Sequence, residues 1–236
     1  MKILLLAAGK GERFSRVGYP PKPLITVNGK PMWKYVLDNF LMHLPRIEYD
    51  GKDILIVTKG EYSIKDDRFN VCNLVGPQFG ALFSALAGLN QYSKFNQEEE
   101  IIILNVDQLI LFNWNKFNSI RQGEQDGILF HFNEQDREFK WGRSTIADEV
   151  VTSVVEKVPV SDYAHTGHYY FKTIKDFINY ANKVIDNNVK VNGEFFLSPV
   201  YNFMIADNKI IRPFIVDKFV PIGTPEELHK FMFKWD

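Results

Sequence analysis

Near the start of the chain, Ala7-Ala8-Gly9-Lys10-Gly11 leads to Arg13 and then to Lys22. Small side chains let backbone N–H groups come close to an anion. Two fixed cations beside them suit that anion being a phosphate. The loop is not a Walker A loop, because no Gly-Lys-Ser/Thr tripeptide occurs. It is not the dinucleotide fingerprint either, since Phe14 stands where the third glycine belongs. From these residues alone, an ordinary strand-to-loop turn with two surface cations accounts for the stretch equally well.

The longer pattern separates the two readings. Leu6-Ala-Ala-Gly-x-Gly-x-Arg-Phe14, then Lys22-Pro23-Leu24, then Asn28-Gly-Lys-Pro-Met32, resembles the signature of the nucleotidyltransferases (pyrophosphorylases) that make nucleotide sugars. Ile222-Gly-Thr-Pro-Glu-Glu-Leu228 resembles that family's C-terminal motif, so the likeness covers nearly the whole chain. It implies an α/β fold: a Rossmann-like, mixed but mostly parallel sheet flanked by helices, of the nucleotide-diphospho-sugar transferase type.

The resemblance also implies roles. Leu6, Ala7, Ala8, Gly9, Lys10 and Gly11 would cradle a nucleoside triphosphate, with Gln78 and Gly80 near its base. Arg13 resembles the arginine that grips the β- and γ-phosphates, and Lys22 the lysine beside the α-phosphate. Read without the family, Lys22 is a solvated loop lysine, although Pro21 and Pro23 would hold it rigidly. Asp107 resembles the aspartate that binds nucleotide and Mg²⁺; without the family it is a strand-end turn residue. Glu156-Lys157-Val158-Pro159 resembles the Glu-Lys-x-Pro segment, which makes Lys157 the contact to the acceptor phosphate, a third catalytic cation with Arg13 and Lys22. Glu156, Gly142, Thr166, Gly167 and Glu194 would line the acceptor. His168 reads as a pocket or surface residue rather than a proton shuttle, since a phosphate nucleophile needs no base at neutral pH. One departure stands out: Pro221 occupies the position of the family's second metal-binding aspartate, and Asp217 is out of register with it.

Asn192-Gly-Glu-Phe195 and Val158-Pro-Val-Ser-Asp162 resemble a capsule and surface-polysaccharide subgroup containing cytidylyltransferases, some acting on phosphates such as phosphoglutamine. CTP is the donor that this implies, and a homo-oligomer is compatible with it. Two rivals remain: a metal-dependent glycosyltransferase of the related fold, and a catalytically inactive nucleotide-binding module.

These residues need a scaffold. Ile3–Leu6, Asp53–Thr58, Asn70–Val75 and Ile101–Leu104 are apolar runs suited to strands buried on both faces. Pro31–Leu44 and Gln78–Tyr92 have helical apolar spacing. Ligands of such sheets bind beyond the carboxyl ends of strands, where the Gly9–Arg13 turn and Asp107 fall. Further strands are predicted at Gly127–Phe132, Arg143–Ile146, Val150–Glu156, His168–Phe171 and Ile210–Val216. Helices are predicted at Thr173–Asn187, at Glu194–Ile205 with Pro199 interrupting it, and at Pro225–Phe233 capped by Thr224. The expectation is a single domain over 1–236, with an NTP-binding half (1–112) and an acceptor-binding half (113–236). A net charge of −1 gives no reason to expect a nucleic-acid partner. The single cysteine, Cys72, suits a reducing cytoplasm, and no apolar run approaches the ~20 residues of a membrane span.

Overall fold

The computed structural model describes residues 1–233 apart from 10, 61, 63, 77, 78 and 137. In chain order the elements are β1 (Lys2–Leu6), α1 (Glu12–Ser15), β2 (Thr26–Val27), β3 (Lys30–Pro31), α2 (Met32–Leu41), β4 (Ile54–Lys59), β5 (Asn70–Leu74) and α3 (Ala81–Gln91). There follow β6 (Ile101–Asn105), β7 (Gln108–Leu111), α4 (Trp114–Arg121), β8 (Gly127–Asn133), β9 (Gly142–Ala147), β10 (Val150–Glu156) and β11 (Tyr163–Phe171). The chain ends with α5 (Ile174–Asp186), α6 (Pro199–Ala206), β12 (Ile211–Ile215), β13 (Lys218–Pro221) and α7 (Pro225–Phe233).

The four apolar runs become β1, β4, β5 and β6, joined in parallel in the order β6-β1-β4-β5. Strand alternation divides their side chains between two cores. Ile3 and Leu5 enter one with Val36 and Phe40 of α2 and Phe117 of α4. Leu4 and Leu6 enter the other with Leu82 and Leu86 of α3, Phe177 of α5 and Met204 of α6. The sheet continues past β6 through β11, which runs antiparallel to it, to β9 and β10 on one path and to β8 and β12 on another. The expected mixed, mostly parallel α/β sheet flanked by helices is therefore the observed fold. Among the described residues no helix is long and apolar enough to cross a membrane.

Three helix expectations shift for local reasons. α2 stops at Leu41, and its last predicted residue, Leu44, lies just before Pro45, where helical backbone is disfavoured. α3 starts at Ala81 rather than Gln78, after Gly80 with φ +109°; Gln78 lies outside the described residues. Pro199 does not interrupt a helix but starts one, as the first residue of α6, a position that lacks an intrahelical N–H partner anyway. β11 begins at Tyr163, five residues before the expected His168, because its first half pairs with β8 and β9 before its second half reaches β6.

Candidate active site

β1 and β6 are parallel neighbours with Leu6 opposite Asn105, so their carboxyl ends bring the small-residue loop and Asp107 to one edge. The loop leaves β1 with Ala7 N–H bonded to Val57 O at 2.7 Å, and Ala8 is buried beneath it. Gly11 adopts φ +63° as it enters α1. A Cβ there would stand 2.9 Å from the Lys22 Cβ, so the absent side chain is what lets Lys22 close up on the loop. Phe14, fully buried, anchors α1 below, while Arg13 remains exposed on the opposite side. Lys10 lies outside the described residues.

Lys22 opens a 3-10 turn, Lys22–Leu24, between Pro21 and Pro23. Its ammonium is ion-paired with the Asp107 Oδ2, and both side chains are about four-fifths shielded from solvent. Asp107 sits in the turn between β6 and β7, and its carbonyl accepts from Ile222 N–H at 2.9 Å. The C-terminal Ile222-Gly223 segment thus runs directly beside it. A Cβ on Gly223 would lie 2.6 Å from Asp107 Oδ2. The surrounding cleft has a volume of about 590 Å³. Of the expected site residues, Leu6, Ala8, Gly9, Gly11, Arg13, Lys22, Gly80, Asp107 and Glu194 line it, and Pro221 lies in the same wall.

Ala7 is fully buried under the loop. Gly142 and Glu156 are opposite each other in the β9–β10 ladder. The Glu156 carboxyl accepts from the Ser198 hydroxyl, and burial pushes it up to about 7 against the pull of Ser198 and Lys157. Lys157 has φ +60°, a rare backbone state for a lysine, and its ammonium lies 5.0 Å over the Phe196 ring. Tyr169 is buried within electrostatic reach of both Glu156 and Asp107. Burial raises its phenol well above the ordinary value, and the charges of Glu156 and Asp107 add to that shift. Thr166 is fully buried, its hydroxyl shared between Phe130 O and His168 Nδ1, and Gly167 beside it is buried in β11. His168 is neither a pocket nor a surface residue: it is buried between Phe40 and Phe130, and burial lowers its pKa to about 4.

A cleft residue, Glu227, and a residue that braces the loop, Tyr62, escaped the sequence reading. Glu227 accepts from Gly223 N–H at 3.0 Å and meets Lys140 at 3.3 Å across the mouth. Its own N–H bonds the Thr224 hydroxyl. The Thr224-x-x-Glu227 spacing is a helix-start signature that could have found it. Tyr62 donates to Ala7 O at 2.7 Å, bracing the loop from the β4–β5 connection; nothing in its sequence neighbourhood marks it.

Among the described residues, no three carboxylates, imidazoles or thiols converge on a metal-sized space. Asp217 is bonded through its backbone to Leu111, at the far end of β13 from Pro221. Asp107 fits a hard cation as a single protein carboxylate, the arrangement expected where substrate phosphates and water complete an Mg²⁺ shell.

Residues 3–116 match the MobA-like NTP transferase domain family. No curated protein matches the sequence. Among solved structures, the nucleoside-diphosphate-sugar pyrophosphorylase of Vibrio cholerae RC9 is similar at TM-score 0.82 and 21% identity, over 98% of this chain and 99% of that one. The UDP-glucose pyrophosphorylase of Acinetobacter baumannii gives 0.70 and 16%, over 97% and 90%. The inositol-1-phosphate CTP transferase of T. maritima gives 0.68 and 14%, over 96% and 90%. Residues 3–116 thus resemble the MobA-like NTP transferase domain, and the chain shares the fold of these solved structures along nearly its whole length.

Proposed function

We propose that this protein is an Mg²⁺-dependent nucleotidyltransferase that couples a nucleoside triphosphate to a phosphorylated sugar or another small phosphorylated metabolite. The observation that carries this reading is the Lys22–Asp107 pair in a cleft bordered by the Gly9–Arg13 loop. An acceptor phosphate oxygen attacks the α-phosphorus, the bond to the β-phosphate bridging oxygen breaks, and pyrophosphate leaves. The protein's part is alignment and charge neutralisation. The loop backbone around Ala8, Gly9 and Gly11 holds the triphosphate, Arg13 draws the leaving pyrophosphate, and Lys22 offsets charge at the α-phosphate. Asp107 is the carboxylate that would hold Mg²⁺, which when bound supplies further neutralisation of phosphate charge. Lys157 receives the acceptor phosphate, and Glu156, Gly142 and Glu194 face the rest of that substrate.

CTP is the donor this reading favours, and the setting is a cytoplasmic step of capsule or surface-polysaccharide synthesis. Phosphoglutamine belongs with sugar phosphates on the acceptor panel. The division into an NTP half, 1–112, and an acceptor half, 113–236, follows from the same assignment. Pro221 in the cleft wall favours a second reading, nucleotide binding without turnover. A pyrophosphate-release screen of four NTPs against phosphorylated acceptors decides between them. Release that needs both an NTP and an acceptor supports the transferase; nucleotide binding with no release under any pairing supports the second reading.

A further inference from the structure

A row of polar residues crosses four neighbouring strands behind the acceptor end of the cleft. His131 of β8 is opposite His165 of β11, and Glu156 of β10 is opposite Gly142 of β9. Ala164 is opposite Arg143, so the antiparallel β9–β11 register sets His165 beside Gly142. Both imidazoles are buried and meet one hydroxyl: Ser144 Oγ lies 2.8 Å from His131 Nε2 and 2.9 Å from His165 Nε2.

At Gly142 the row has a missing tooth. A Cβ there would collide with His165 Nδ1 and stand 2.7 Å from Glu156 Oε1. The imidazole and the carboxyl therefore crowd one point, with only a bare Cα between them. His165 Nδ1, like His131 Nδ1, is fully buried and has no hydrogen-bond partner among the described residues, but only the His165 atom faces Glu156 across Gly142. A buried polar atom left without a partner is destabilising, so its position calls for a role.

Ser144 has one hydroxyl proton, so at most one imidazole accepts from it. The other must donate through Nε2–H, and a neutral imidazole that does so has a bare Nδ1. We propose that His165 is this second imidazole and a positioning residue, its bare Nδ1 turned on the Glu156 carboxyl across Gly142 to hold that carboxyl in one orientation. The assignment of Glu156 to the acceptor rests on the function proposed above; the His165–Glu156 relation does not.

The surrounding charges suit this. Burial, then the charges of His131 and Arg143, hold His165 well below its ordinary value, which keeps it neutral. The Glu156 carboxyl, pushed up by burial, has a proton to offer near neutrality. Arg143 spends its guanidinium elsewhere, on the Glu134 carboxylate and on the carbonyls of Glu134, Ser161 and Glu138. Ser198 and Lys157 are the other polar groups acting on Glu156, and Tyr169 feels its charge from β11.

The test uses the full chain labelled with ¹⁵N at histidine and ¹³C at the glutamate carboxyl. His165 should be the Nε2–H tautomer, and its Nδ1 resonance should move in Glu156→Gln. An Nδ1–H tautomer, or an Nδ1 resonance indifferent to Glu156→Gln, overturns the proposal. Two substitutions separate positioning from packing. His165→Asn keeps an amide near the Nδ1 position, whereas His165→Gln keeps the contact to Ser144. Asn should retain the wild-type Glu156 titration and Gln should shift it; the reverse pattern assigns His165 to Ser144 alone. With CTP and glucose 1-phosphate as probe substrates, His165→Gln should raise the acceptor KM about tenfold, with kcat and the CTP KM unchanged. An unchanged acceptor KM overturns the proposal. If the wild-type protein transfers nothing to the probe, that substrate assignment fails while the resonances still decide the His165 role.

Discussion

The two ends of the cleft are built on opposite electrostatic plans. At the β1–β6 edge the polar groups are charged and within reach of solvent: Arg13 is exposed, and Lys22 and Asp107 neutralise each other at the surface of the cleft. At the β8–β10 side they are buried: His131, Ser144 and His165 are within the sheet and neutral, Glu156 is pushed toward its neutral form, and the buried Arg143 is matched by the Glu134 carboxylate. A triphosphate arrives with several negative charges, so cations on a small-residue loop can meet it with little prior desolvation. Buried neutral groups fix direction rather than charge, which suits telling one polar acceptor from another. If the proposed function holds, the contrast means that the donor end should fail through lost charge and the acceptor end chiefly through lost orientation.

The largest break of this contrast is expected at Asp107. Asp107→Asn keeps the shape and removes the charge that balances Lys22, so turnover should fall by on the order of 10³ while the circular dichroism spectrum stays native. Near-normal pyrophosphate release from this variant would show that charge at the donor end is dispensable. Arg13→Ala should follow, with a loss of about 10² in kcat, the lower range for one lost transition-state contact. Because Arg13 is exposed, its melting temperature should be unaltered. Lys157→Ala sharpens the comparison from the other end. It should raise the acceptor KM about tenfold and leave nucleotide affinity, measured by calorimetry, where it was. An equal loss of nucleotide affinity would move Lys157 to the donor end.

The smallest effect is on stability rather than rate. Burial lowers His131 to about 3 and His168 to about 4, and holds His165 well below its ordinary value. Below the ordinary histidine value of 6.5 the unfolded chain therefore takes up protons that the folded chain refuses. Stability should fall as pH drops from 6.5 toward 4. Glu156 acts the other way, since between its ordinary 4.5 and about 7 the folded chain retains a proton that the unfolded chain releases. Three imidazoles outweigh one carboxyl, so the urea midpoint should be lower at pH 5 than at pH 7. A midpoint that rises on acidification would mean that the buried row is charged.

Legibility follows the same division. The donor end can be read because β1 and β6 are short continuous apolar runs, and the residues that matter come at their ends. Gly11 and the two prolines around Lys22 act through local backbone geometry, which residue type alone reports. The acceptor end depends on pairing between strands distant in sequence. Nothing in Tyr163-Ala-His165 says that β11 starts there, because its partners, β8 and β9, fix its length. His131, Ser144 and His165 look like unrelated polar residues until the register sets them in a row. Pro199 departs from expectation for a related reason: proline reports a constraint on φ, and only the preceding loop shows whether it interrupts a helix or starts one.

β11 belongs late in the chain yet lies at the centre of the sheet, with β6 along its second half and β8 and β9 along its first. This has a consequence for how the polypeptide is made. When the ribosome has released only the segment through β7, the β6 side that β11 will cover is an open row of backbone donors and acceptors along Ile101–Leu104. Such an apolar edge invites pairing with another chain. The nascent protein is therefore most vulnerable in the interval between synthesis of β6 and synthesis of β11. Its first half, although it contains nearly the whole matched NTP transferase segment, has its open β6 edge covered only when β11 emerges and pairs with it.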